Sequence, residues 1–235
     1  SLDHISKGRA GWNVVTTAAD VSKNFSIPGH PAHADRYQRA EEVVDLVLDL
    51  WDSYDDDALV IDKESGVFLD PAKVHQINHH GQFFDVAGPL NVARSPQGRP
   101  VVVQAGASEA GRNLAARTAE VIFTANQTLA AGQEFYADIK GRLGKYGRRP
   151  DQLLIMPGIF PVLGGTEAEA LENYEFIQSL VHPTIAWAIL KQYYVGVDLS
   201  GYSLDDHAPP LPGDTELNKS RLKLVSDLAG TGLSL

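Results

Sequence analysis

Several small groups of residues in this sequence have the types and spacing to hold an anion. Gly106-Ala107-Ser108-Glu109-Ala110-Gly111 follows the apolar run Val101-Val102-Val103-Gln104-Ala105 and opens a helix-like segment. Small residues after a buried strand let backbone N–H groups approach a phosphate at a helix N-terminus, where the helix dipole favours negative charge. The same residues also serve ordinary tight-turn chemistry, and local sequence leaves both readings open. His33 and Tyr37 stand four apart. If a helix begins near His33, an imidazole N–H and a phenol O–H share one face at its positive end; the alternative is a packing tyrosine beside a surface histidine. Asn13 lies toward the C-terminal end of Gly11-Trp12-Asn13-Val14-Val15-Thr16-Thr17, the edge at which parallel α/β sheets bind ligands. A buried amide satisfying neighbouring backbone groups is the competing account of Asn13.

Other polar groups carry weaker chemistry. Asp55-Asp56-Asp57 reads as a solvated acidic turn, because three adjacent carboxylates cannot all face one ion. His75 and His79 have a metal-compatible spacing if helical, but no HExxH-type glutamate accompanies them, so His75, His79 and His80 read as part of a surface insertion and no metal is assigned. His182 precedes a proline; it either lines a pocket or caps a helix.

The elements that must position these groups follow from periodicity. Gly11–Thr17, Val101–Ala105, Val121–Thr124 and Leu153–Val162 read as buried strands, the prolines of the last one marking a bulge or a strand end. Ala40, Val43, Val44, Val47, Leu50 and Trp51 form one face of a helix that follows the breaker Pro28-Gly29-His30-Pro31. Further helices are expected over 110–119, 130–146, 166–180 (opened by the capping-box form Thr166-Glu167-Ala168-Glu169) and 186–194. Between the first helix and Val101, residues 55–98 have hairpin character, with strand-like runs at Val60–Asp62, Gly66–Leu69 and Gln82–Val86. Strands alternating with helices imply βαβ units and a parallel sheet, an α/β fold.

Composition bounds the function. With 235 residues, 43% hydrophobic and 21% charged, the chain has the make-up of a soluble globular protein. A formal charge of -10 argues against a nucleic-acid or anionic-membrane surface while allowing a local pocket for one phosphate. There is no cysteine, so disulfides, thiolate metal sites and cysteine nucleophiles are excluded together. No run approaches the ~20 apolar residues of a membrane helix and no signal-peptide pattern opens the sequence, so a cytoplasmic protein is expected.

Taken together, several segments resemble one family, the two-component flavin-dependent monooxygenases of the bacterial-luciferase superfamily, in the branch of nitrilotriacetate, EDTA, dibenzothiophene-sulfone and long-chain alkane monooxygenases. The resemblance rests on Leu2–Thr16, Arg36-Tyr37 with Ala40-Glu41-Glu42, Trp51-Asp52-Ser53, and His80-Gly81 with Phe84. It continues through Gly88-Pro89-Leu90-Asn91, Gln104–Gly111 and Gly196-Val197-Asp198-Leu199-Ser200. It implies a (β/α)8 TIM-barrel fold that takes reduced FMN (FMNH2) from a separate NAD(P)H:flavin reductase and uses O2 to oxidise a small organic substrate. By the same resemblance the FMN phosphate falls on His33, Tyr37 and Ser108, with Ala107 beside it. Asn13 and Thr17 fall near the flavin or substrate, and His182 is a candidate for the substrate pocket. Residues 1–235 then read as the central part of one barrel domain, lacking N-terminal strands and the last strand, with residues 55–98 as a hairpin-like insertion. A homo-oligomer is expected of the longer protein. A catalytically inactive flavin-binding or interaction domain, and a sugar- or nucleotide-phosphate enzyme, are the alternatives.

Overall fold

The computed structural model describes residues 1–17, 22–26, 29–194, 197–203, 205–210 and 225. It divides into two units, Ser1–Thr16 with Pro31–Gly158 and Thr17–His30 with Ile159–Leu235.

The first unit runs α1 (Leu2–Ser6), β1 (Gly11–Val14), α2 (His33–Trp51), β2 (His79–His80), β3 (Asp85–Val86), β4 (Val101–Gln104), α3 (Glu109–Thr118), β5 (Val121–Thr124), α4 (Leu129–Leu143) and β6 (Leu154–Pro157). Its main sheet is parallel throughout, in the order β1-β4-β5-β6. Val14 pairs with Gln104, Gln104 with Ile122, and Ile122 with Ile155. Parallel neighbours need long crossovers, and α2, α3 and α4 lie in those crossovers. The expected α/β alternation is therefore present. The strands are shorter than the apolar runs: β1 stops at Val14, and β6 ends at Pro157, a residue that cannot donate to a ladder.

Alternation along each strand sorts its side chains between two faces. Val14, Val102, Ile122 and Leu153 are buried in two apolar clusters. One joins Val14 and Val102 to Tyr37 and Val44 of α2 and Leu114 of α3. The other joins Ile122 and Leu153 to Ala115, Ala116 and Ala119 and to Phe135, Ile139 and Leu143 of α4. Val15, Phe123, Leu154 and Met156 are exposed instead. Val15, an apolar member of the first expected strand, is thus not a core residue, because it lies beyond the last paired position of β1.

Local chemistry sets the helix ends. Ser108 and Thr128 are N-caps whose hydroxyls accept from the N–H groups of Gly111 and Ala131, both at 3.2 Å. The far end of α3 is closed by Arg148, which donates to the carbonyls of Ala116 (2.8 Å) and Ala119 (2.6 Å).

Residues 55–98 contain less regular structure than their strand-like runs suggest. The N–H groups of Val60 and Ile61 both donate to the Phe68 carbonyl at 3.0 Å, and Ile61 has φ 48°. This two-against-one pairing is a bulge; the hydrogen bonds on either side of it, Asp70 N–H to the Ala58 carbonyl (2.9 Å) and Asp62 N–H to the Val67 carbonyl (2.8 Å), make an irregular hairpin with an isolated Leu59–Leu69 bridge rather than a regular ladder. Only β2 and β3 form a named antiparallel pair here among the described residues. The acidic turn is solvated and each carboxylate has its own partner: Asp55 with His75, Asp56 with Arg94, Asp57 with Lys73.

In the second unit, α5 (Glu167–Ser179) is capped by Thr166, whose hydroxyl accepts from the Glu169 N–H at 3.2 Å. The capping box is not closed in the expected form, since the Glu169 carboxylate accepts from Gly165 N–H rather than from Thr166. Helix α6 (Pro183–Tyr193) starts after His182. Pro212 and the C-terminal Gly230–Leu235, where no closing element was expected, lie outside the described residues, as does Gly196. No helix among the described residues is long and apolar enough to cross a membrane.

Candidate functional site

The starts of α2 and α3 meet at the C-terminal edge of the sheet. Helix α2 begins at His33, so His33 and Tyr37 do share a face: their rings lie 4.7 Å apart, tilted by 42°. Tyr37 is buried in the α2–sheet cluster, yet its hydroxyl reaches the turn after β4. There Gly111 N–H donates to Ser108 Oγ (3.2 Å), and Ser108 Oγ–H donates to Tyr37 Oη (3.3 Å). Followed in that direction, the chain ends with the Tyr37 hydroxyl proton still to be given away. Neither ring nitrogen of His33 is bonded to a described residue.

Gly106 and Gly111 are required by the closeness of this packing. A Cβ on Gly111 would lie 2.9 Å from both Gly106 Cα and Tyr37 Oη. A Cβ on Gly106 would lie 2.9 Å from Gly111 Cα, 3.1 Å from Gln104 Oε1 and 3.3 Å from Tyr37 Oη. The small-residue turn is thus built around a tyrosine hydroxyl, and its local sequence alone did not show this.

The donors of the turn are divided. Gln104, a buried polar residue at the end of an apolar strand, turns its Oε1 onto the N–H groups of Ala105 and Gly106, both at 2.8 Å. Those two donors and that of Gly111 are therefore committed. The N–H groups of Ala107, Ser108, Glu109 and Ala110 have no acceptor among the described residues. Four backbone donors at the positive end of a helix, a phenol O–H and an imidazole are groups that could meet an oxyanion, and this cluster is the candidate seat.

A charged network flanks the seat. Arg112 Nε donates to the Ala107 carbonyl at 2.9 Å while its Nη1 pairs with Asp138 at 2.8 Å. Arg142 grips Asp138 (2.8 Å) and Glu109 (2.7 and 2.8 Å). Burial works against ionisation of Asp138, but the hydrogen bonds from Arg142 and Arg112 outweigh it and hold its carboxyl below the usual range. Arg142 does the same for Glu109.

Asn13 belongs to the other face of β1. It pairs in register with Val103, is exposed, and makes no hydrogen bond to a described residue, so the buried-amide account does not apply. Thr17 and His182 belong to the second unit. His182 is exposed and its Nδ1 accepts from Thr184 N–H at 3.2 Å, a helix cap. His75, His79 and His80 each pair with a different carboxylate, and among the described residues no three potential ligands converge on a metal position.

Gln104, Arg112 and Asp138 had no place in the sequence-based account of the site. A signal existed for two of them: a polar residue closing an apolar strand, and an arginine in the first turn of a helix, where the dipole disfavours a cation.

The family model for luciferase-like monooxygenases matches residues 1–235. The chain belongs to that family. Among its relatives are the N-acetyl-S-(2-succino)cysteine monooxygenase of Bacillus subtilis (strain 168), 50% identical over 231 residues, and nitrilotriacetate monooxygenase component A of Aminobacter aminovorans, 47% identical over 230. Each alignment covers 97% of this chain, and 52% and 51% of the respective relative. A solved structure of a riboflavin lyase with modified FMN and riboflavin superposes with a TM-score of 0.83 at 36% identity, over 97% of this chain and 52% of that one. The chain spans about half the length of the relatives it matches. This luciferase-like monooxygenase segment therefore has the α/β fold of its TIM-barrel neighbours, incomplete relative to the full-length proteins.

Proposed function

We propose that this chain supplies the flavin-phosphate seat of a two-component monooxygenase that takes FMNH2 from an NAD(P)H:flavin reductase and uses O2 to oxidise a small organic substrate. The observation that carries this reading is the Gly111–Ser108–Tyr37 hydrogen-bond chain, whose last proton, the tyrosine O–H, has no acceptor among the described residues. A phosphate monoester accepts that proton, together with the N–H groups of Ala107, Ser108, Glu109 and Ala110 and a ring N–H of His33. The residues fit the group: the glycine pair leaves room around the turn backbone and the tyrosine hydroxyl that any Cβ would fill. The names of the relatives support monooxygenation, "component A" supports a separate reductase, and FMN in the riboflavin lyase supports the cofactor.

When bound, reduced flavin supplies the electrons for oxygen activation. The chain's own residues bind and orient. Tyr37 and Ser108 fix the phosphate end, and Asn13, on the opposite face of the same sheet edge, is assigned to the flavin or substrate. Thr17 and His182 are assigned to the substrate side. The chain acts within one barrel domain, residues 55–98 inserted, in a cytoplasmic homo-oligomer.

The test is flavin fluorescence quenching with wild type and a His33→Ala/Tyr37→Ala/Ser108→Ala variant, each titrated with FMN and with riboflavin, which lacks the phosphate. The wild type should prefer FMN and the variant should lose that preference. An equal affinity of the wild type for both flavins would remove the phosphate assignment.

A further inference from the structure

We infer that Arg112 is a positioning residue for the anion seat, acting through the peptide between Ala107 and Ser108; the inference rests on the phosphate reading above. In a planar trans peptide the C=O and the following N–H point in opposite directions. Arg112 Nε holds the Ala107 carbonyl at 2.9 Å. The Ser108 N–H of the same peptide is therefore turned to the side away from Arg112 and has no acceptor among the described residues. Without this hold the peptide is free to rotate about its flanking bonds, and the donor loses its direction.

Arg112 is itself fixed from α4. Its Nη1 pairs with Asp138 at 2.8 Å, its guanidinium lies 5.1 Å from the Phe135 ring centre, and Asp138 is steadied by Arg142. Orientation of one backbone donor in the turn after β4 thus runs from α4 through Asp138 and Arg112 to Ala107. An arginine is needed because the carbonyl and the carboxylate are taken by two different nitrogens of one rigid fork. A lysine has one nitrogen and cannot hold both in that geometry.

The experiment compares Arg112→Lys, Arg112→Gln and Asp138→Asn with wild type in the full chain, reading the dissociation constants of FMN and riboflavin and the thermal midpoint. Both Arg112 variants should weaken FMN roughly tenfold, the scale of one charge-assisted hydrogen bond, and leave riboflavin within about twofold. Asp138→Asn should shift FMN in the same direction by less. Full FMN affinity in Arg112→Lys would overturn the proposal, because charge alone would then suffice. Equal losses for both flavins with a lowered midpoint would overturn it too, since Arg112 would then only support the fold. If wild type itself shows no preference for FMN, the phosphate reading fails first and takes this inference with it; a preference abolished by the triple variant but untouched by Arg112→Gln refutes the inference alone.

Discussion

Two polar clusters on α2 look alike in composition and differ in their donor balance. One is the seat around Tyr37. The other lies further along the helix, where Glu42 receives the β2–β3 hairpin: its carboxylate accepts from His79 Nε2 (3.1 Å), Phe83 N–H (2.9 Å) and Phe84 N–H (2.8 Å). Both make room with glycine, since a Cβ on Gly81 would fall 2.0 Å from Glu42 Oε1. At Glu42 the donors and the acceptor use each other up, and the Arg39 guanidinium covers the Phe84 ring at 4.8 Å. At the seat, four N–H groups and a phenol O–H have no acceptor among the described residues. A closed set of hydrogen bonds fastens chain to chain, whereas a surplus of donors at a helix start awaits an anion.

The largest effect should come from breaking the seat sterically. Gly111→Ala places a methyl 2.9 Å from Gly106 Cα and Tyr37 Oη. Overpacking of this kind costs about 1–3 kcal/mol, which is about 5- to 150-fold in the FMN dissociation constant if it falls on the seat. Flavin titration checks it, and an unchanged FMN affinity would show that the glycine pair does not shape the site. Tyr37→Phe should do less, removing one donor at about 1–2 kcal/mol and weakening FMN but not riboflavin.

The Glu42 cluster, a latch between α2 and the β2–β3 hairpin, should answer to pH where the seat is proposed to answer to phosphate. Burial tends to raise the Glu42 pKa, but the hydrogen bonds from His79, Phe83 and Phe84 outweigh it and hold the carboxyl below its ordinary value. A lowered folded value means that the ionised latch stabilises the fold above the unfolded glutamate pKa and loses that contribution as pH falls through the folded one. Thermal unfolding of wild type and Glu42→Gln should therefore differ most near neutrality and converge in acid. A gap that widens as pH falls would contradict the assignment. FMN affinity at neutral pH should be the same in both proteins.

The sequence nominated the parts of the proposed seat and left the Glu42 latch unread, for physical reasons. Helix periodicity placed His33 and Tyr37 on one face, and β4 running into small residues marked the turn; both signals are local. That Tyr37 reaches Ser108 is a contact across 71 residues, supplied by the parallel pairing of β1 with β4. The latch joins Glu42 to residues 41 and 42 positions away through backbone N–H groups, which no side-chain pattern announces. The hairpin runs in 55–98 overstated regular structure because the bulge at Val60 and Ile61 breaks the alternation that a regular ladder needs. Gln104 and Arg112 were obscured because their partners are main-chain atoms of the turn.

The smallest expected effect concerns Glu109, a carboxylate beside the seat. Glu109 opens α3, and an ionised side chain there would compete with a bound phosphate. Its charge is instead met by Arg142 on both oxygens, with Asn113 donating to one of them. Because that pair is already neutral from a distance, Glu109→Gln should change the FMN dissociation constant by less than about twofold, with the difference fading as salt screens it. Arg142→Ala exposes the carboxylate and loosens Asp138, so it should weaken FMN, and Glu109→Gln added to it should recover the part of the loss that the exposed charge causes. If Glu109→Gln alone tightens FMN by an order of magnitude, the pair is not screening the seat, and the surplus of donors there is partly used by Glu109 itself.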